Sequence, residues 1–486
     1  MNRTLVEHYR CPEEFTQCLL RGVPSGHVGH FRLGPDTICY GSLCKGAVHS
    51  TVNGRLHDAL HDATVEHGAL CLSFDPDEVV ENLRWERYSN ASAKRSTFLG
   101  RAANNLYYLA RPLLGVSIRR HLQKLRLADW RSISFPQWPV DRTVEQVHET
   151  ILHLCIRANG GKKIPFIWFW PKGISNCAIV THDVEGPRGY DFCPTVMDLD
   201  ESFGIKSSFQ LVPEKRYSLS PPVLEAIRSR GFEINVHDLN HDGRLFGSEE
   251  VFLERVRRIN AHGRALGAQG FRSGALYRNL DWYQALEFSY DMSVPNVAHL
   301  DPQRGGCCTV MPYFIGKILE LPVTTTQDYS LFHILGQYSL DLWKCQIARI
   351  MKQHGLASFI VHPDYIREKR ARNTYKSLLG YLAELRSEGK VWVALPRDVN
   401  QWWRARSQMT LVRQSGTWAI HGPEHERAQV AYAVLQGDRL TYEWEETDSV
   451  RRDEAAVNLP VLERSNLMNP QTTLTHVAPR ETESTV

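Results

Sequence analysis

The chain has 486 residues, enough for a sizeable core and more than one domain. Its 57 basic and 54 acidic side chains leave a formal charge of +3, which excludes nucleic-acid binding driven by overall charge and leaves recognition to local patches. Eleven cysteines at irregular spacings, with Cys307 and Cys308 adjacent, are expected as reduced thiols. The first residues lack a long apolar core, and no run of about 18 apolar residues follows anywhere, so the expected address is the cytoplasm.

Residues 1–90 are expected as an N-terminal α+β module. Short alternating runs with Gly breaks over 30–75 suggest its strands, and "DPDEVVENLRWERY" (75–88) a helix with an acidic start. A basic helical segment and linker over 91–172 follows. Residues 92–131 carry nine Lys or Arg against one Asp, interleaved with Leu and Tyr, and Pro112 predicts a break into two helices. Such a helix either lies peripherally on an anionic membrane surface, here the inner membrane face, or packs its apolar side on a neighbouring domain. "FPQWPVDRTVEQVHETILHLCIR" (135–157) predicts an extended linker and an amphipathic helix, and the aromatics of "PFIWFWPKG" (165–173) suit interface packing or a sugar platform.

Over 173–405 apolar runs alternate with helical stretches. "CAIVTHD", "SSFQLV", "FEINVHD", "QGFRS", "SYDMSV", "ILELPV", "ASFIVHP" and "VWVALP" predict strands, and 221–231, 248–267, 340–355 and 373–389 predict helices between them. This alternation implies a parallel sheet, and seven or eight units imply a (β/α) barrel with its chemistry at the C-terminal strand ends. A short β appendage is expected over 406–446 and a disordered tail over 447–486.

The strand ends carry the chemistry-bearing residues. "VHDLNHDG" sets His237 and His241 four residues apart, a spacing that lets two imidazoles share a divalent ion on one helical turn. Two His leave a Zn²⁺ site short of a third ligand, and "THDVE" is the natural supplier. In an extended chain Asp183 and Glu185 share a face while His182 and Val184 turn away. One carboxylate can then hold the ion while the other takes a proton from water. "GFRSGALY" adds Arg272 and "FIVHP" adds His362, so one rim holds a base, an orienting cation and an acid. Asp238 and Asp242 suit turn formation, His299 and His333 surface or packing positions. Asp328 or Tyr329 suits either loop capping or the groove.

The order of these motifs resembles the polysaccharide deacetylase family, the NodB-homology carbohydrate esterases, over about 175–400. "THDVE" lies where that family has Thr-Phe-Asp-Asp, and "HDLNH" resembles its His-Ser/Thr-x-x-His motif, with Asp238 in the hydroxyl slot. "FRSGA" resembles its Arg-x-Pro motif with Gly274 in place of Pro, "FSYDMSVPN" (288–296) its fourth motif, and "IVHP" its Leu-x-His motif. The resemblance implies a NodB-type distorted (β/α) barrel and a metal-dependent hydrolase removing an N-acyl group, acetyl by preference, from an amino sugar. It implies Asp183 as base, His362 as general acid, Arg272 orienting Asp183, and Asp291 orienting Arg272 or His362. A divalent metal, Zn²⁺ by preference, would be held by His237, His241 and Glu185, because Val184 fills the slot of the family's liganding Asp. Exchange of the Asp183 and Glu185 roles, or a site without metal, stays open.

The implied partner is an N-acylated amino-sugar polymer or a lipid-linked glycan. A non-catalytic glycan-binding scaffold and a hydrolase of non-sugar amides are the alternatives.

Overall fold

The short apolar runs near the N-terminus form two small sheets in the computed structural model, which describes residues 2–89 and 116–444. Of β1 (Cys18–Leu20), β2 (Val28–Arg32), β3 (Ile38–Ser42), β4 (Thr64–Glu66) and β5 (Ala69–Leu72), the first sheet takes β1-β5-β4 and the second pairs β2 with β3. The predicted helix follows as Pro76–Arg84, capped by Asp75, whose side chain accepts from the Asp77 N–H at 2.9 Å. Most of the basic stretch 92–131, with the break expected at Pro112, lies outside the described residues, as does the tail 447–486. The end of that stretch is the helix Val116–Arg126, and the linker leads into the helix Thr143–Ala158.

β6 (Ile164–Ile167) lies in the segment read from sequence as linker, yet it pairs with the C-terminal strands. Phe166, Trp168, Phe169 and Trp170 around it are buried, so these aromatics serve packing and offer no sugar platform.

All eight predicted barrel strands are present: β7 (Asn176–Val184), β8 (Ser208–Leu211), β9 (Glu233–His237), β10 (Gly270–Arg272), β11 (Tyr290–Asp291), β13 (Ile318–Glu320), β14 (Leu356–Ile360) and β15 (Val391–Ala394). A ninth, β12 (Tyr313–Ile315), turns back antiparallel onto β13. The order is β12-β13-β11-β10-β9-β8-β7-β14, with β15 also on β7, and every pair except β12-β13 is parallel. Helical segments separate successive parallel strands, as the β-helix-β crossover requires, except between β11 and β13, where the chain passes through β12 instead. The fold is therefore α/β, a curled, distorted (β/α) barrel.

No ladder joins β13 to β14. Threonine side chains bridge the gap: Thr324 Oγ1 donates to Leu356 O at 2.7 Å and accepts from Ser358 N at 2.9 Å, and Thr325 Oγ1 donates to Ser358 O at 2.7 Å. The helix Thr143–Ala158 packs nearby, with Val144 N donating to Cys308 O at 3.1 Å and Glu145 accepting from Thr309 and Val310.

Alternation along each strand divides the core. Ala178, Val180, Val184, Val236, Phe271 and Phe359 pack outward among the helices, while Cys177, Ile179, Tyr290, Met292, Leu319 and Leu356 face inward. The appendage consists of β16 (Thr410–Gln414) paired with β17 (Thr417–His421), and of β18 (Val430–Gln436) between β6 and β19 (Arg439–Trp444). No helix among the described residues is long and apolar enough to cross a membrane.

A buried ion pair joins the helix region before residue 90 to the barrel loops. Arg278 Nε donates to Glu86 Oε2 at 2.6 Å, its Nη2 donates to Oε1, and Gly306 N donates to the same carboxylate. Arg278→Met would leave Glu86 buried without its cation. We expect a loss of about 3–5 kcal/mol in unfolding free energy, read as a lower denaturant midpoint at unchanged slope, with partial recovery on adding Glu86→Gln.

Candidate active site

β7 delivers two carboxylates to one side of the rim. The strand runs through Val184, whose side chain is buried in the outer core and whose carbonyl accepts from the Tyr217 hydroxyl at 2.7 Å. Asp183 and Glu185 consequently face inward together. His182 turns outward and is fully buried. Its Nδ1 lies 3.0 Å from Val361 O and its Nε2 3.1 Å from Asp200 Oδ2, and Asp200 also accepts from Tyr375 and Ser207. That network is structural.

β9 supplies His237 at its last residue. The chain then turns through left-handed backbone at Asp238 (φ 57°) and His241 (φ 52°), which brings the two imidazole centroids to 4.8 Å. The pair is thus set by a tight turn, where the sequence spacing suggested a helical one. His237 Nδ1 lies 3.2 Å from the Arg272 carbonyl, which can only accept, so Nδ1 bears a proton and Nε2 is the atom turned to the site. His241 Nε2 is 2.9 Å and His237 Nε2 3.9 Å from Glu185 Oε1.

Glu185, His237 and His241 offer ligand atoms within 4.8 Å of one another. Both imidazole Nε2 atoms are buried and turned to the Glu185 carboxylate without a well-directed hydrogen bond, an arrangement natural for metal ligands. Burial pushes the Glu185 carboxyl up, but the His241 charge and hydrogen bonding with His237, His241 and His362 outweigh it and hold the group well below the usual carboxylate range. The donor set of two imidazoles and a carboxylate therefore fits a divalent ion such as Zn²⁺.

Arg272, at the end of β10, is fully buried and reaches across the barrel. Its Nη1 donates to Asp183 Oδ1 and to Thr181 Oγ1, both at 2.7 Å, and its Nε donates to Met292 O at 2.9 Å. Burial raises the Asp183 carboxyl, but Arg272 first, then His237 and His362, lower it below its ordinary value. Asp183 Oδ2 stays 3.8 Å from His237 Nε2, facing the triad.

His362 follows β14. Its Nδ1 lies 2.6 Å from Asp328 Oδ1, its backbone N–H donates to Asp328 Oδ2 at 2.8 Å, and its Nε2 is 3.4 Å from Glu185 Oε1. Burial would discharge this imidazole. The Asp328 carboxylate, then Glu185, more than offset that and hold His362 protonated well above the ordinary histidine range. Asp328 is the acid that orients His362, a role the sequence did not single out from loop capping.

The structure brings Asp183, Glu185, His237, His241, Arg272 and His362 together. Asp291 is not among them. On β11 it is in register with Phe271 and Glu320, so it points outward. Ser293 donates to its carboxylate from N at 2.9 Å and from Oγ at 2.8 Å. Burial pushes both Asp291 and the adjoining Glu320 carboxyl up. Asp291 accepts no hydrogen bond from Arg272 or His362, whose partners are Asp183, Thr181, Met292 and Asp328.

Asp242 pairs with Arg255 through two contacts of 2.7 and 2.8 Å and accepts from Arg244 N, as a turn former does. His299 is buried, and His333 packs with Tyr329 and Tyr365 beside His362.

Two departures from the deacetylase motifs explain each other. Asp238, in the hydroxyl slot, fills the space above Gly274, in the proline slot: a Cβ at Gly274 would lie 2.4 Å from Asp238 Oδ2 and 3.1 Å from His241 Cδ2.

Neither a protein-family model nor a curated protein matches the sequence. Solved structures do resemble it. A proposed polysaccharide deacetylase from Mycobacterium smegmatis is 17% identical with a TM-score of 0.41, over 51% of this chain and 98% of that one. Puue allantoinase is 14% identical with a TM-score of 0.39, over 48% of this chain and 92% of that one. The Xyl-CE4 domain of a multidomain xylanase from the hindgut metagenome of Trinervitermes trinervoides is 12% identical with a TM-score of 0.32, over 47% of this chain and 92% of that one.

Gly274→Ala should force Asp238 and the His241 turn apart, at about 1–3 kcal/mol of unfolding free energy. Asp238→Ser should return part of that loss, read as a favourable coupling in a double-mutant cycle by denaturant unfolding.

Proposed function

We propose that this chain is a metal-dependent amide hydrolase that removes an N-acyl group, acetyl by preference, from an amino sugar of a polysaccharide or its lipid-linked precursor. One observation carries the reading: a carboxylate held ionised by Arg272 and an imidazole held charged by Asp328 flank the same Glu185-His237-His241 cluster. Glu185, His237 and His241 would hold a divalent ion, which would supply polarisation of an acyl carbonyl and an easier deprotonation of water.

The chain's own groups supply the rest. Asp183 Oδ1 is occupied by Arg272, so Oδ2 accepts the proton from water as its oxygen adds to the carbonyl carbon. His362, with Nδ1 fixed on Asp328, gives its Nε2 proton to the amide nitrogen as the carbon–nitrogen bond breaks. Amide and water become carboxylic acid and free amine, and the proton taken by Asp183 returns His362 to its charged form. A glycan-binding scaffold without turnover has no need of this opposed pair. A non-sugar amide would suit the same groups.

Asp183→Asn should lower kcat for acetate release from an N-acetylated oligosaccharide by about 10²–10⁴-fold while the protein keeps its divalent metal. Glu185→Ala should instead lose the metal, measured by elemental analysis of the purified variants. The opposite pattern would exchange the two roles.

A lipid-linked substrate is supported by the helix Val116–Arg126. Gln123 accepts from the Tyr329 hydroxyl, next to Asp328, and Arg126 donates to Pro302 O at 3.2 Å, which ties the helix to the loops after the barrel strands. Leu122 and Leu125 stand 39% and 61% exposed beside exposed Lys124 and Arg126. Leucines flanked by cations suit an anionic bilayer surface. Leu122→Glu with Leu125→Glu should abolish co-sedimentation with phosphatidylserine vesicles while leaving turnover of a soluble oligosaccharide within about twofold, as surface substitutions do.

A further inference from the structure

Glu185 stands beyond the last residue of β7, so no ladder hydrogen bond fixes it, and something else must hold its loop. The next residues, Gly186, Pro187, Arg188 and Gly189, enter a single helical turn (Pro187–Tyr190) that packs on another single turn (Pro363–Ile366) directly after His362. Asp364 lies at that contact. A Cβ at Gly189 would come 2.2 Å from Asp364 Oδ2 and 2.7 Å from its Cγ, and one at Gly186 would come 3.2 Å from Oδ1.

Neither glycine has a positive φ, so backbone freedom does not explain them. Room for the Asp364 carboxylate does. The N–H groups of both glycines face that carboxylate, and His362 and Glu185 both act on its charge. Its Oδ2 has no hydrogen-bond partner among the described residues.

We propose that Asp364 is a positioning residue: by seating its carboxylate in the notch of Gly186 and Gly189, it clamps the loop that carries Glu185 to the loop that carries His362. This rests on the reading of Glu185, His237 and His241 as metal ligands. Asp364 touches neither ion nor substrate. It fixes the distance between the carboxylate ligand and the general acid, as outer partners commonly do for metal ligands. Gly189 is the second half of the device, because any side chain there expels the carboxylate.

The test is Co²⁺ binding to the full-length protein, by competition with a chelator and by the visible spectrum of the bound ion, with thermal unfolding as the check on folding. Asp364→Ala and Gly189→Ala should each weaken Co²⁺ binding by about 10–100-fold and alter the spectrum, with the thermal midpoint little changed. Asp364→Asn, which keeps one acceptor for the glycine N–H groups, should show the same change in smaller degree. This milder variant carries the test should the alanine variants fail to fold. Wild-type affinity and spectrum in folded Asp364 variants would overturn the clamp while leaving the triad standing. Absence of Co²⁺ binding by the wild type would overturn the triad, and the clamp with it.

Discussion

The guanidinium of Arg272 is the interaction on which the rest depends. In a flat sheet β7 and β10, with two strands between them, would be about 14 Å apart. Yet Arg272 reaches Asp183 and Thr181 on β7 while its Nε is satisfied by Met292 O beyond β11. That contact requires a curled sheet and helps to hold it. A cation buried so completely is tolerable only when paired and hydrogen-bonded, and its partner is the proposed base. The same residue's carbonyl accepts from Asp238 N at 2.8 Å and meets His237 Nδ1, fixing the turn and the tautomer of one proposed ligand. Base, ligand and curvature thus share one side chain and one carbonyl.

Strand parity then sorts the remaining polar groups. Inward positions near the rim take Asp183, His237 and Arg272. Further down the interior, Asn235 donates to Ser208 Oγ and Tyr290 Oη at 2.8 Å each, and Tyr290 donates to Glu233. A polar interior of this kind is stable because nearly every donor meets an acceptor. At the rim the imidazole Nε2 atoms of His237 and His241 turn to the Glu185 carboxylate without a well-directed hydrogen bond.

Much of this was legible in the sequence because it depends on local periodicity. Eight apolar runs gave eight strands, and alternation in "THDVE" separated His182 from its neighbours without any tertiary knowledge. Asp291 falls on the outer face for the same physical reason that Asp183 falls on the inner one. Its motif suggests a rim residue, but Tyr290 and Met292 claim the interior, and a strand cannot offer its middle residue to the same side. Asp328 could not be assigned because its partner is 34 residues away, across a seam between β13 and β14 that no strand ladder crosses. The left-handed turn at Asp238 and the glycine notch under Asp364 were equally invisible, since each depends on which atoms approach from another strand.

The proposed use of Glu185 where the deacetylase motif has an aspartate follows from where the chain can place a carboxylate. Val184 is packed in the outer core among the helices, so a carboxylate at that position would point away from both imidazoles. The next inward position is 185, one residue farther along the chain and past the end of the ladder. A carboxylate placed there must reach back toward β9, and the extra methylene of glutamate supplies the length that an aspartate lacks. The longer side chain carries more rotamer entropy, which a ligand position cannot leave unrestrained. His241, His237 and His362 restrain its head, all within 3.9 Å of Oε1. Its backbone is restrained from the side of Val184 by the Tyr217 hydroxyl. In the proposed site, the departure from an aspartate at this place is therefore a geometric consequence of outward packing at Val184, and it transfers the burden of precision from the strand to the loop that follows.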